Sequence, residues 1–389
     1  MTRIAFIITG LGTGGAEMML LKVLTHLDRS RFEPHVIALA PLGDMAQRIA
    51  ALNVPVQSIN MRRSVLALWH IGRLIRMLKV LRPDVVHTWM YHADLVGGLA
   101  ARMAGVRAVG WCIRNSDLGP QTTSRSTRMV VWLCARLSRW LPTRILCCSE
   151  AATTIHVQLG YAAHKMQVIP NGFDLTLFRP DVVARLELRN TLVIRTESPV
   201  IGLIGRYHPQ KNHYGFIDAA AIVIASRPET QFVMAGTGVE TTNTILLEKI
   251  KAAGLEHHMH MLGNWANVPA LMNVLDVLVS ASTYGEAFPN VLGEAMACGV
   301  PVVTTDVGDS AYIVGDTGLV VTDNTPAQLA AGIQRMLELA PSARAALGAR
   351  ARDRVLTHFD IHGVTRQYEQ FYEDILATAS AANVTTESR

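Results

Sequence analysis

The sequence predicts an α/β protein built from two doubly wound parallel-sheet domains. Three observations lead there. At 389 residues the chain exceeds one ordinary domain and can bury two full cores. Apolar runs of strand length alternate with longer segments of helical period, the rhythm of repeated βαβ units. That rhythm breaks at Ile169-Pro-Asn-Gly-Phe-Asp and Phe178-Arg-Pro-Asp, then restarts at Val200-Ile-Gly-Leu-Ile-Gly-Arg. The expected division is therefore 1–180 and 181–360. The last helix, with spaced aromatics at Tyr368, Phe371 and Tyr372, is expected to pack back on the first domain.

In order along the chain, strands are expected at 4–8, 33–39, 84–87, 106–111, 144–148 and 166–169, with helices at 16–27, 44–52 and 93–103 between them. The second half repeats the pattern, with strands beginning at Val200 and later at 231–235, 258–262, 276–280, 301–304 and 319–321. Ligands of such sheets bind beyond the carboxyl ends of the strands, so two halves of this kind are expected to share a cleft. The apolar start at 4–8 is only strand length and leads into a glycine loop, so it reads as a first strand rather than a signal peptide. No apolar run reaches the roughly 20 residues of a membrane span. Five cysteines, with no C-x-x-C spacing, read as reduced core thiols of a cytoplasmic protein.

Charge is distributed unevenly. Residues 1–180 hold 21 Lys+Arg against 9 Asp+Glu, a net of +12, whereas 181–389 hold 15 against 22, a net of −7. The first half thus suits an anionic partner. Segments 61–82 and 125–144 are basic amphipathic helix candidates carrying Trp69, Trp132 and Trp140, a pattern suited to an anionic membrane surface. The plainer alternative is helices that pack one face on the sheet and solvate the other. No nucleic-acid-binding module accompanies the charge.

Three segments carry chemistry. Gly10-Leu-Gly12-Thr-Gly14-Gly15-Ala-Glu17 formally matches G-x-G-x-x-G between a strand and a helix, but the second strand ends Leu39-Ala40-Pro41, without the acid that would hold a dinucleotide's ribose. What survives is a backbone open to a phosphate, or else a tight turn with close helix packing. Gly205-Arg206 and Lys211 place a guanidinium and an ammonium in one loop, able to grip a diphosphate. Residues 284–300 set Glu286 just before a helix, Pro289 in its first turn and Glu294 about two turns inside. The unpaired N–H groups from Asn290 onward, with the helix dipole, attract an anion. Two acids around an anion site suit a ligand that joins phosphate to hydroxyls.

Together these segments resemble the retaining nucleotide-sugar glycosyltransferases of family 4, with the GT-B fold of two Rossmann-like domains. The resemblance covers nearly the whole chain: Gly14-Gly15-Ala-Glu17, Ile169-Pro-Asn-Gly-Phe-Asp, Gly205-Arg206 with Lys211, and the E-x7-E segment from Glu286, where Ala287 stands in place of the commoner glycine. It implies that Arg206 and Lys211 neutralise the donor diphosphate without a required metal or cofactor. Glu294 would hold the ribose, and Glu286 the transferred sugar. The amides of Phe288, Pro289's neighbour Asn290, Val291 and Leu292 would contact sugar and phosphate, while Gly14 and Gly15 would let the first domain close on the diphosphate. A histidine is expected near the anomeric carbon, His92 with His87 as competitor, and Arg114 and Asn115 should overhang the cleft. Front-face attack is favoured over a covalent intermediate on Glu286. The expected donor is a UDP-sugar and the acceptor a polysaccharide, lipopolysaccharide or lipid-linked saccharide, reached on the inner face of the cytoplasmic membrane. A non-catalytic subunit of the same fold and a sugar-nucleotide epimerase are the alternatives.

Overall fold

The computed structural model describes residues 1–61, 67–119 and 122–387. They form two compact units, Met1–Gly172 with Ile361–Arg389, and Phe173–Asp360. Unit one carries seven parallel strands: β1 (Thr2–Ile8), β2 (Phe32–Ala38), β3 (Val56–Ser58), β4 (Val85–Trp89), β5 (Ala108–Ile113), β6 (Arg144–Cys147) and β7 (Met166–Val168). Their order is β3-β2-β1-β4-β5-β6-β7. Residues Ile4 to Ile8 are all fully buried, as expected of a strand covered by helices on both faces. Strand β3 is not among those the sequence predicts. Three residues after Pro55 are too few to show a period.

Unit two carries six parallel strands: β8 (Val200–Ile204), β9 (Gln231–Ala235), β10 (Met259–Met261), β11 (Val277–Ser280), β12 (Val302–Thr305) and β13 (Leu319–Val321), ordered β10-β9-β8-β11-β12-β13. In each sheet the winding reverses once. The reversal falls between β1 and β4, where Ile8 lies opposite Trp89, and between β8 and β11, where Gly202 lies opposite Leu278. Loops leaving adjacent strands in opposite directions open a crevice there, and this is where such sheets bind ligands.

The final helix, Ile361–Glu387, buries Tyr368, Phe371, Tyr372 and Ile375 in one core with Phe6, Phe32 and Trp89 of unit one. The sequence places the change of domain at 180, whereas the chain changes unit at Gly172. The turn residues that follow belong to unit two by their bonds: Phe173 N donates to Phe359 O at 2.8 Å, and Arg352 Nη1 to Phe178 O at 3.0 Å. The basic helix expected over 61–82 is Ala67–Leu81, with residues 62–66 outside the described ones. The one expected over 125–144 is Arg125–Leu137, started by Ser124 Oγ accepting from Thr127 N. Among the described residues no helix is long and apolar enough to cross a membrane.

Candidate active site

At unit two's reversal the loops after β8 and β11 meet. Glu286 is 9% exposed, and its Oε1 accepts from Lys211 Nζ at 2.6 Å and from Ser282 Oγ at 2.8 Å. A carboxylate held that far from water needs a counter-charge and hydrogen bonds, and these two groups supply both. The sequence assigns Lys211 and Glu286 to different parts of a ligand; here they form one ion pair. Thr283 N donates to Gln210 O at 2.9 Å, a second tie between the two loops, and Thr305 Oγ1 at the end of β12 donates to Ser282 O at 2.6 Å. Gly308, at φ +61°, lets the backbone pass directly against the carbonyl of Glu286, where any Cβ would collide. The sequence gives Ser282 and Gly308 no role, since nothing in their spacing separates them from ordinary loop residues.

Arg206 leaves the same reversal point but stays exposed, with no side-chain hydrogen bond or ion pair among the described residues. It stands one residue after Gly205, whose N donates to Ala235 O at 2.8 Å, and one before Tyr207, whose N donates to Thr237 O at 2.7 Å. The backbone on both sides of Arg206 is thus anchored while its guanidinium reaches solvent.

The helix after Glu286 is Asn290–Ala297. Pro289 is its N-cap rather than a member of its first turn, because its ψ of 105° is not helical. Proline has no side-chain acceptor, and the helix start carries no side-chain cap. Its first-turn amides are therefore suited to an anion. Phe288 and Leu292 are buried and fix the segment, while Asn290 and Val291 are half-exposed. Glu294 is four residues past Asn290, one turn into the helix rather than two, and so lies on Asn290's face.

At unit one's reversal the glycine loop ends in the helix Gly15–His26, with Gly14 as an N-cap that offers no side-chain bond. Gly10, Gly12 and Gly14 all have negative or extended φ, and a Cβ on Gly12 would meet nothing within 4 Å. Close packing does not require glycine at Gly12, whereas a Cβ on Gly14 would run into the Glu17 carboxylate. Glu17 sits half-buried in the helix's first turn, and burial raises its carboxyl pKa.

Across the same point, β4 ends at Trp89 and Met90 adopts φ +74°, ψ 153°, a region that non-glycine residues rarely occupy. Such strain costs about 1–3 kcal/mol and persists only where the surroundings enforce it. Here Met90 N donates to Cys112 O at 3.0 Å and Met90 O accepts from Asp94 N at 2.9 Å. The corner delivers His92, half-exposed, as the second residue of the helix Tyr91–Met103. His87 is enclosed: it is fully buried among Phe6, Trp89, Phe371 and Tyr372, and burial drops its pKa to about 3. Its Nδ1 meets Tyr372 Oη at 3.1 Å and Trp89 Nε1 at 3.2 Å, so it reads as a core residue.

Arg114 and Asn115 are turned inward. Arg114 stacks on Trp89 at 5.2 Å, donates to Tyr368 Oη at 3.3 Å and bonds Asn171 Oδ1. Asn115 closes a turn on Asp117, donating to its carbonyl at 2.9 Å and accepting from its amide at 3.1 Å. Both tie loops within unit one.

The comparisons with known proteins agree with this geometry. The pattern of the family described as Glycosyltransferase Family 4 matches residues 13–177, and that of Glycosyl transferases group 1 matches residues 184–354. The chain is 29% identical over 245 residues to the UDP-Gal:alpha-D-GlcNAc-diphosphoundecaprenol alpha-1,3-galactosyltransferase of Escherichia coli, a match spanning 62% of each chain. It is 28% identical over 216 residues to the lipopolysaccharide core biosynthesis mannosyltransferase LpsB of Rhizobium meliloti (strain 1021), over 54% of this chain and 61% of that one. Among solved structures, Anabaena Alr3699/HepE in complex with UDP superposes with a TM-score of 0.84 at 25% identity, covering 96% of this chain and 100% of that one. With two adjacent family matches over two parallel-sheet units, the chain belongs to the group 1, family 4 glycosyltransferases of the GT-B fold.

Proposed function

We propose that this chain is a retaining, metal-independent glycosyltransferase that moves a sugar from a UDP-sugar to a hydroxyl of a polysaccharide, lipopolysaccharide or lipid-linked saccharide. The observation that carries the reading is the convergence of Arg206, Lys211 and Glu286 at unit two's reversal point, beside an uncapped helix start. Arg206 and Lys211 take the donor diphosphate, and their charge stabilises the leaving group as it departs, with no need for a metal. On donor binding Lys211 exchanges Glu286 for phosphate, which leaves Glu286 to accept from hydroxyls of the sugar. Glu294 accepts from the ribose, and the amides from Phe288 to Leu292 contact sugar and phosphate. In unit one, Gly14 and Gly15 offer a phosphate a second set of open amides, and His92 bonds a hydroxyl near the anomeric carbon.

Retention follows if the departing phosphate takes the acceptor's proton while the acceptor attacks from the same face. Glu286 then positions the sugar and forms no bond to it. Product analysis by NMR with a UDP-sugar and excess chelator tests this reading. It should show the donor's anomeric configuration kept and turnover unchanged by the chelator. An inverted product, a strict metal requirement or a glycosyl group trapped on Glu286 would contradict it.

A peripheral position on an anionic membrane, on its cytoplasmic side, is the second part of the proposal. It is supported by the exposed Trp69, Trp132 and Trp140, the first two carrying Arg76 and Arg136 over their rings at 5.6 and 5.0 Å. Aromatic rings paired with cations suit the boundary between headgroups and acyl chains. The protein should float with vesicles containing phosphatidylglycerol and not with neutral ones. Equal recovery in both would rule the surface out.

A further inference from the structure

Unit one holds a groove of about 640 Å³ that the sugar chemistry above does not use. It runs between the helix Ala67–Leu81 and the sheet edge formed by β2 and β3, a size common for sites that take one small ligand. Val36, Pro55, Met77 and Val80 supply apolar walls, and Arg73 and Arg76 stand on the helix beside them. Among the described residues no Asp or Glu lines it, and His35 and Gln57 are its other polar members. Val80 is 85% exposed and Trp69 68%, so the helix turns an apolar face toward solvent.

The groove has a direction. A helix joining the carboxyl end of β3 to the amino end of β4 runs opposite to the strands, so Trp69 lies toward the ligand-binding end of the sheet and Val80 toward the other. At about 1.5 Å per residue the two are separated by roughly 16 Å. Along the helix Trp69 and Arg73 come first, Arg76 and Met77 lie near the middle, and Val80 comes last, so the order runs from aromatic and cationic to apolar. Two guanidiniums three residues apart on one helix can share a phosphate. An apolar chain leaving that phosphate would follow the groove away from the sugar-handling end.

We propose that this groove binds a phosphorylated lipid, with the phosphate on Arg73 and Arg76 and the apolar chain along Met77, Val80, Val36 and Pro55. Its role as the seat of the acceptor's lipid carrier rests on the lipid-linked reading above. Charge complementarity selects this occupant: the rim is cationic and the floor apolar, which fits an anionic head joined to a hydrocarbon tail.

The test uses the full chain and dodecyl phosphate, titrated calorimetrically below its self-association concentration. Wild type should bind it and should not bind inorganic phosphate. Val80→Asp and Arg73→Gln, both at exposed positions, should each weaken binding at least tenfold with thermal unfolding unchanged. Equal affinity in both variants, equal affinity for inorganic phosphate, or a dimer seen by light scattering that Val80→Asp dissolves would overturn the proposal. In transfer assays Val80→Asp should raise KM at least tenfold for a lipid-linked saccharide, but not for the same saccharide on a short water-soluble aglycone. If the variants transfer to both acceptors as wild type does, the groove fails and the enzyme reading stands. Lipid-phosphate binding lost in the variants, with no sugar transfer by wild type, leaves the groove and removes the enzyme.

Discussion

Arg206→Ala is expected to lower kcat/KM for sugar transfer by about 10²–10³-fold, the loss typical when one group that stabilises transition-state charge is removed. The effect should fall on turnover and leave the fold alone. Arg206 is exposed and its neighbours' backbone is anchored without its side chain, through Gly205 to Ala235 and Tyr207 to Thr237. Thermal unfolding of the variant should therefore match wild type. Lys211→Ala differs in kind, because it also removes the partner of a buried Glu286 and so should cost both activity and stability. A loss under about threefold in Arg206→Ala would remove Arg206 from the charge-stabilising role.

Asp276→Ala is expected to destabilise unit two by about 3 kcal/mol, the low end of the range for breaking a buried pair from one side, because Asp276 and Arg185 are partly exposed. Asp276 accepts from Arg185 Nη2 and Arg189 Nη2, both at 2.7 Å, and from Val200 N at 2.8 Å. Arg189 is only 2% exposed; its Nη1 keeps the carbonyls of Arg195, Thr196 and Ser198, but losing the carboxylate removes its ion pair and leaves the charge in the interior. Asp276 also joins the start of β8 to the approach of β11, the two strands whose loops carry Arg206 and Glu286. For a unit of this size the loss corresponds to a drop in Tm on the order of 10 °C. Denaturant unfolding measures it directly, and a change below about 1 kcal/mol would show that the backbone carbonyls alone suffice for Arg189.

The parts legible in the sequence are those where one short segment carries its own chemistry. Residues 4–8 followed by glycines announce a strand and an open loop, and the run from Glu286 to Glu294 announces a helix start with one acid before it and one within it. Features decided by distant residues were not legible. His87 and His92 sit five positions apart at one strand-helix junction. The ring of Tyr372, 285 residues along the chain from His87, is what makes His87 a core residue. The pairing of Lys211 with Glu286 joins loops 75 residues apart, and their periodicity carries no trace of it. Arg114 reads in sequence only as a cation just past a strand, since nothing there shows Trp89 and Tyr368 beside it. Met90 is the converse case: an ordinary residue type in a strained conformation, visible only in φ and ψ.

The central claim is that unit two's reversal point seats a nucleoside diphosphate on Arg206, Lys211 and the start of the helix Asn290–Ala297. Calorimetric titration of UDP into wild type and Arg206→Ala tests it most directly. Saturable one-to-one binding by wild type, weakened at least tenfold in the variant, is the predicted result. Equal UDP affinity in the two proteins, or no affinity of wild type for UDP, GDP or ADP, would contradict it.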